Sequence, residues 1–201
     1  MLTDDLIATF SRAQEAFTER VHAVAPDQWQ LGTPDTQWTV ADLVGHLVDE
    51  HRWATPLLAG LDMDAARAVV ARLGPAGADG TALVRAWDQA AASSAAAFGA
   101  DGALTGSVAI TRGSVPAVEY LEEMVLDLIV HAWDLGVATG YPEPLPSGPV
   151  AAIYPLAQAI VDRTPAGMFD PSSAPGVTGT PPAHSGHCGA GQARLGIVPA
   201  G

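Results

Sequence analysis

From Leu126 to Leu135 the chain reads Leu-Asp-Leu-Ile-Val-His-Ala-Trp-Asp-Leu, a helical apolar pattern with a carboxylate set into it. An ionised Asp buried without a partner is costly, so a helix built this way must meet a cation, a metal or a strong set of donors. His131 follows Asp127 by four residues. Four residues is slightly more than one turn, so the two side chains leave one face about 6 Å apart along the axis. From there they can share one metal ion; alternatively, an Asp–His or Asp–Arg pair with another helix can hold two helices together. The pair by itself leaves both readings open.

His46 lies in a second apolar run, after Leu43, Val44 and Gly45 and before Leu47 and Val48. Taken alone it reads as a core histidine bonded to a backbone carbonyl. If its helix lies beside the one carrying Asp127 and His131, a three-ligand metal site becomes possible.

The same spacing extends along the chain. Thr3-Asp4-Asp5 opens a first helix carrying Leu6, Ile7, Phe10, Ala13, Phe17 and Val21, which Pro26 stops. Thr39 is an N-cap, and Asp42 three residues later completes a capping box for a second helix ending near Gly60. A short helix is predicted over residues 62–72, a Gly/Pro/Ala linker over 74–80, and a third main helix over 81–98. Residues 99–114 read as a short extended segment or a loop. Pro116 fits the first turn of a fourth main helix, and Gly140 is its natural C′ residue. A fifth helix is predicted over about 149–163. Residues 171–201 hold no Asp or Glu, one Arg, seven Gly and five Pro, and keep no apolar period. The expectation is an all-α four-helix bundle over 1–165 with an additional C-terminal helix, then an irregular Gly/Pro-rich tail over 166–201.

Other candidates are weaker. His51 is five residues past His46, about 140° away around the helix, and reads as a surface or rim residue. His22 ends the first helix, where the macrodipole favours a cation. His184, His187 and Cys188 match no common zinc spacing and have no scaffold. Asp49, Glu50, Glu122 and Glu123 read as a solvated acidic face, with Asp49, Glu50 and His51 able to line an entrance. Asp134, three residues past His131, can hydrogen-bond it or pair with an Arg.

The formal net charge is −13 with nine basic residues, all Arg and scattered, which argues against nucleic acid and anionic membrane as partners. No apolar run spans a bilayer, and Met1-Leu2-Thr3-Asp4-Asp5 lacks the basic start of a signal peptide. One cysteine, Cys188, permits no internal disulfide, so a cytoplasmic setting is expected. The chain has no Lys and no Asn but abundant Ala, Gly and Pro, as expected of a GC-rich genome.

Trp38-Thr39-Val40-Ala41-Asp42-Leu43-Val44-Gly45-His46-Leu47 resembles the segment that opens the second helix in the DinB-like, mycothiol-dependent maleylpyruvate isomerase N-terminal superfamily. Asp127-Leu128-Ile129-Val130-His131-Ala132-Trp133-Asp134-Leu135 is similar to that family's second motif, and Ala138-Thr139-Gly140 continues the match. The resemblance covers roughly residues 3–165. It implies a four-helix bundle holding a divalent metal through His46, Asp127 and His131. The metal is commonly zinc, with nickel or iron also open. Asp127 stands where the isomerase has a glutamate, and in this it looks like a short actinobacterial subgroup of metal-binding proteins. The isomerase also has a substantial C-terminal domain, for which this chain has no room. The loss of acidic residues after Asp170 is what an altered reading frame in a GC-rich gene would produce.

Two neutral imidazoles and one carboxylate leave a zinc site with a net charge of about +1 and an open fourth position. A thiol entering there would be deprotonated to its reactive form. The expected function is therefore metal-dependent thiol chemistry, as a mycothiol-dependent isomerase or S-transferase acting on a small electrophilic substrate. One alternative is a hydrolase using metal-bound water; another is a non-catalytic metal-binding bundle. The expected partners are a small-molecule substrate and a low-molecular-weight thiol, with a homodimer possible. The chain names no general base.

Overall fold

The computed structural model describes residues 3–163 apart from 36 and 78. Among the described residues six helices and one hairpin follow in the order α1 (Thr3–Ala23), α2 (Val40–Leu58), α3 (Met63–Ala71), α4 (Gly80–Phe98), β1 (Ser107–Ile110), β2 (Gly113–Pro116), α5 (Ala117–Thr139) and α6 (Ser147–Arg163). The expected tail over 166–201, with its His184, His187 and Cys188, lies outside the described residues. Among the described residues no helix is long and apolar enough to cross a membrane.

Local chemistry sets the helix ends. Thr39 accepts from the Asp42 amide, and the Asp42 carboxylate accepts from the Thr39 amide at 2.9 Å, a capping box that starts α2. Asp62 and Asp79 cap α3 and α4 through side-chain bonds to Ala65 and Ala82. Gly140 ends α5 in the left-handed conformation, φ 71°, where a Cβ would be strained. Pro116 does not enter the first turn of α5. Its ψ is 139°, because it is still paired with Ser107 in the hairpin, and the helix begins one residue later.

The hairpin resolves the ambiguity over residues 99–114. Val108 pairs with Val115 and Ile110 with Gly113, and Val108, Ile110 and Val115 turn their side chains into the core. That burial makes a short two-stranded ribbon stable where its own propensity would not.

The bundle is a ring of four helices. α2 packs chiefly on α4 and α1 chiefly on α5, while α1–α4 and α2–α5 contacts close the ring. α3 lies against α2, and α6 against α5 and α1. Phe17 meets Trp87 edge-on at 4.7 Å, and Phe10 meets Phe98 edge-on at 5.1 Å, so aromatic contacts between α1 and α4 fill the centre. Arg20 is 3 % exposed and ties α1 to the α5–α6 connection: it donates to the Glu143 carbonyl at 2.8 Å and lies over the Tyr141 ring.

Removing the Thr39 cap tests how much α2 depends on its start. Thr39→Ala is expected to destabilise the protein by about 1 kcal/mol in urea unfolding, with an unchanged slope. No loss of stability would mean that packing alone sets the helix boundary.

Candidate metal centre

α2 and α5 carry the site. His46 sits on α2, about two turns after the Thr39 cap, and Asp127 and His131 share a face of α5. The structure brings all three together: one ligand atom from each lies within 4.8 Å of the others. His131 Nε2 is 3.4 Å from Asp127 Oδ1, and His46 Nε2 is 3.6 Å from Asp127 Oδ2.

These separations are informative. Charge-assisted hydrogen bonds between nitrogen and carboxylate run to about 2.7–2.9 Å, so neither contact is a tight one. Ligands held about 2.0–2.2 Å from one zinc in a tetrahedron stand roughly 3.3–3.6 Å apart; the two contacts fall in that range but reach different Asp127 oxygens, and one atom from each residue gives a looser group, within 4.8 Å. The Asp127 side chain is 4 % exposed, and its Oδ2 has no hydrogen-bond partner. A buried carboxylate oxygen left unsatisfied is costly, and a cation at the centre of the three would satisfy it. The donor set, two imidazoles and a carboxylate, suits a divalent metal.

The surroundings orient the donors. His131 Nδ1 lies 3.0 Å from Asp134 Oδ2, which leaves Nε2 facing Asp127. Trp38 packs over both imidazoles, with ring centroids 4.8 Å from His46 and 5.6 Å from His131. It is held by its loop, since Thr33 donates to the Trp38 carbonyl, the Trp38 amide donates to Asp35, and Gly32 bridges to Thr39. No periodic pattern includes Trp38, so its place over the site was not readable from spacing.

Burial opposes the charge on Asp127, but the imidazoles outweigh it and hold the carboxyl well below its ordinary range. Burial likewise opposes a charge on His131, and the adjacent Asp127, with Asp134, pushes it up to about 10. Asp127 and His131 thus form a buried ion pair.

Two sequence expectations need correction. His51 is not a rim residue: it is fully buried, stacked on Phe10 and set edge-on to Trp87, with Nδ1 2.7 Å from Ser94 Oγ. Burial pushes it down to about 3, so it stays neutral. The turn of about 140° does carry it away from His46, but α2 is covered on that side too, by α1 and α4. The acidic face also divides. Asp49 is exposed and pairs with Arg52 at 3.2 Å. Glu123 is buried under Arg112, which also binds Glu119, and Glu50 is only 5 % exposed. Burial, with Asp127 nearby, pushes the Glu50 carboxyl well up. His22 pairs with Asp88 at 2.8 Å on the surface. A separate cavity of about 420 Å³ lies between the ends of α2 and α4 and the hairpin, and none of the three candidate ligands lines it.

The ion pair gives the metal-free protein a pH signature. A raised His131 contributes its stability fully below about pH 6.5 and loses it as the pH climbs through about 10. A depressed Asp127 contributes fully above about pH 3.9 and loses it as the pH falls. The stability difference between metal-free wild type and Asp127→Asn is therefore expected to peak between about pH 4 and 6.5, measured by unfolding across pH. A difference that stays flat with pH would show that the pair is not coupled.

Comparison with known proteins places this geometry. Residues 10–136, a span containing all three candidate ligands, match the family described as mycothiol maleylpyruvate isomerase N-terminal domain. The uncharacterized proteins Rv0738 and MT0763 of Mycobacterium tuberculosis (strains H37Rv and CDC 1551) are each 32 % identical over 159 residues, covering 77 % of this chain and 78 % of theirs. The fold is similar to the crystal structure of the mycothiol-dependent maleylpyruvate isomerase, with a TM-score of 0.57 at 18 % identity, and to that of a mutant of it, with 0.59 at 17 %. Each superposition covers 75 % of this chain and 67 % of the other. On the strength of the matched span, this chain belongs to the mycothiol maleylpyruvate isomerase N-terminal domain family.

Proposed function

We propose that this protein is a metal-dependent enzyme of thiol chemistry, an isomerase or S-transferase that uses mycothiol on a small electrophilic substrate. The observation that carries the reading is the meeting of His46, Asp127 and His131 across α2 and α5, with an unsatisfied carboxylate oxygen inside it. Membership of a family described by mycothiol supports the choice of thiol.

The residues divide the work. His46 and His131 would each offer Nε2, and Asp127 a carboxylate oxygen, to a divalent metal such as zinc. When bound, the metal would supply Lewis acidity at an open position, lowering the pKa of a thiol there so that it reacts as thiolate. Asp134 accepts from His131 Nδ1 and so keeps Nε2 free to bind. Trp38 shields the imidazoles on one side and narrows the approach. His46 is the more open of the two histidines, its side chain 24 % exposed against 13 % for His131, so a ligand entering from solvent would arrive on the His46 side.

Metal analysis of the purified protein tests the premise. About one equivalent of metal per chain is expected in wild type, with loss of most of it in His46→Ala and His131→Ala variants that keep their helical circular dichroism. Folded wild type that takes up no divalent metal would overturn the reading. With metal present, calorimetric binding of mycothiol and turnover of maleylpyruvate only in its presence are expected. Turnover of ester or amide substrates without thiol would instead indicate hydrolysis by metal-bound water.

A further inference from the structure

α2 offers the centre a second group. Glu50 follows His46 by four residues, as His131 follows Asp127, so each of the two helices sets one imidazole and one carboxylate a turn apart. Glu50 is 5 % exposed, and its Oε2 has no hydrogen-bond partner. Asp127 Oδ2 is also unpartnered, as is the buried hydroxyl of Tyr120 on α5, which feels the Glu50 charge. The two arginines nearest in the pattern are committed elsewhere, Arg52 to Asp49 and Arg112 to Glu119 and Glu123. A carboxyl group buried this deeply stays neutral or finds a cation.

We propose that Glu50 is a fourth protein ligand of the centre, closing it at rest and giving way to an incoming thiol. The proposal rests on the metal-binding reading above. In the structure as it stands, Glu50 lies outside the group formed by His46, Asp127 and His131. Its side chain has three rotatable bonds, and a change of rotamer that carries its carboxylate inward is the movement that the proposal requires.

Charge balance favours the closed form. Three ligands leave a net charge of about +1 on a centre whose Asp127 is 3 % exposed. A second carboxylate neutralises it, and a neutral buried site escapes most of the desolvation cost. Ligand softness makes the closure reversible. A thiolate is the softer donor and is preferred by zinc over a carboxylate oxygen; as the metal–carboxylate bond gives way to a metal–sulfur bond, the proton of the thiol passes to the released Glu50 carboxylate, so both the site and the buried carboxyl end neutral. The open position of a three-ligand site would then be created by the thiol that fills it.

Cobalt(II) tests this without any turnover. Metal-free wild type, Glu50→Gln and Glu50→Asp are titrated with Co²⁺, and the visible ligand-field absorption and the dissociation constant are read, with 2-mercaptoethanol as the probe thiol. In Glu50→Gln the bands are expected to change and the affinity to fall at least about tenfold. Saturating thiol should then make the wild-type and Glu50→Gln spectra converge, because the thiolate occupies the position that Glu50 vacates. Spectra and affinities that match before thiol is added would overturn the inference and leave the metal reading standing. So would a spectral difference that persists under saturating thiol, which would place Glu50 behind another ligand. Folded wild type that binds no Co²⁺ would overturn both. If Glu50→Gln fails to fold, Glu50→Asp carries the test: its shorter reach should alter the same bands, and unaltered bands would reject the proposal.

Discussion

Asp127 carries a charge at 3 % exposure, and the chain must answer that charge. It does so with two imidazoles, one from its own helix and one from α2. This requirement couples the two halves of the bundle. α2 must lie against α5 at a height that brings His46 level with Asp127, and its first turn is set by the Thr39–Asp42 capping box. Asp134 and Trp38 then hold the imidazoles in place, one by a hydrogen bond and the other by its ring. The contacts between the carboxylate and the two imidazoles are loose, longer than tight charge-assisted hydrogen bonds.

The rest of the bundle keeps this polar centre inside an apolar frame. α1 and α4 bring Phe10, Phe17, Trp87 and Phe98 together on the far side of α2, so that helix is covered twice over. His46 faces α5 across one boundary, and His51 is enclosed by aromatic rings across the other. Two histidines on one helix therefore have opposite characters. One is partly open and sits beside a carboxylate; the other is fully buried, neutral and bonded to Ser94. The difference comes from their neighbours, since residue type and helical context are the same.

Much of the candidate site was legible before any fold was known. Asp127 in an apolar run demanded a partner, His131 stood one turn away, and Asp134 stood where it could orient His131. The matching motif around His46 supplied the third group. Spacing did not reveal Trp38, because a loop closed by Gly32 and Thr39 places it. It also misjudged Glu50. The four-residue step from His46 to Glu50 was visible, but Asp49, Glu50, Glu122 and Glu123 have one charge and looked like one solvated surface. Arg112, at the tip of the hairpin, reaches back to Glu123, a contact between segments that no local pattern encodes.

The sequence by itself determined what depends on neighbours along the chain. It set where most of the helices begin and end, which side chains share a helical face, and that Asp127 could not stand alone. These follow from backbone hydrogen bonds, caps and a fixed turn of 3.6 residues, all of which act within a few positions. Only the tertiary structure decided which faces are covered and by what. It buried His51 and Glu50, turned residues 107–116 into a hairpin with an apolar side, and brought His46 to Asp127 from 81 positions away. Burial is a property of packed surfaces that meet from distant parts of the chain, and it is burial that turns a carboxylate and two histidines into a candidate metal centre.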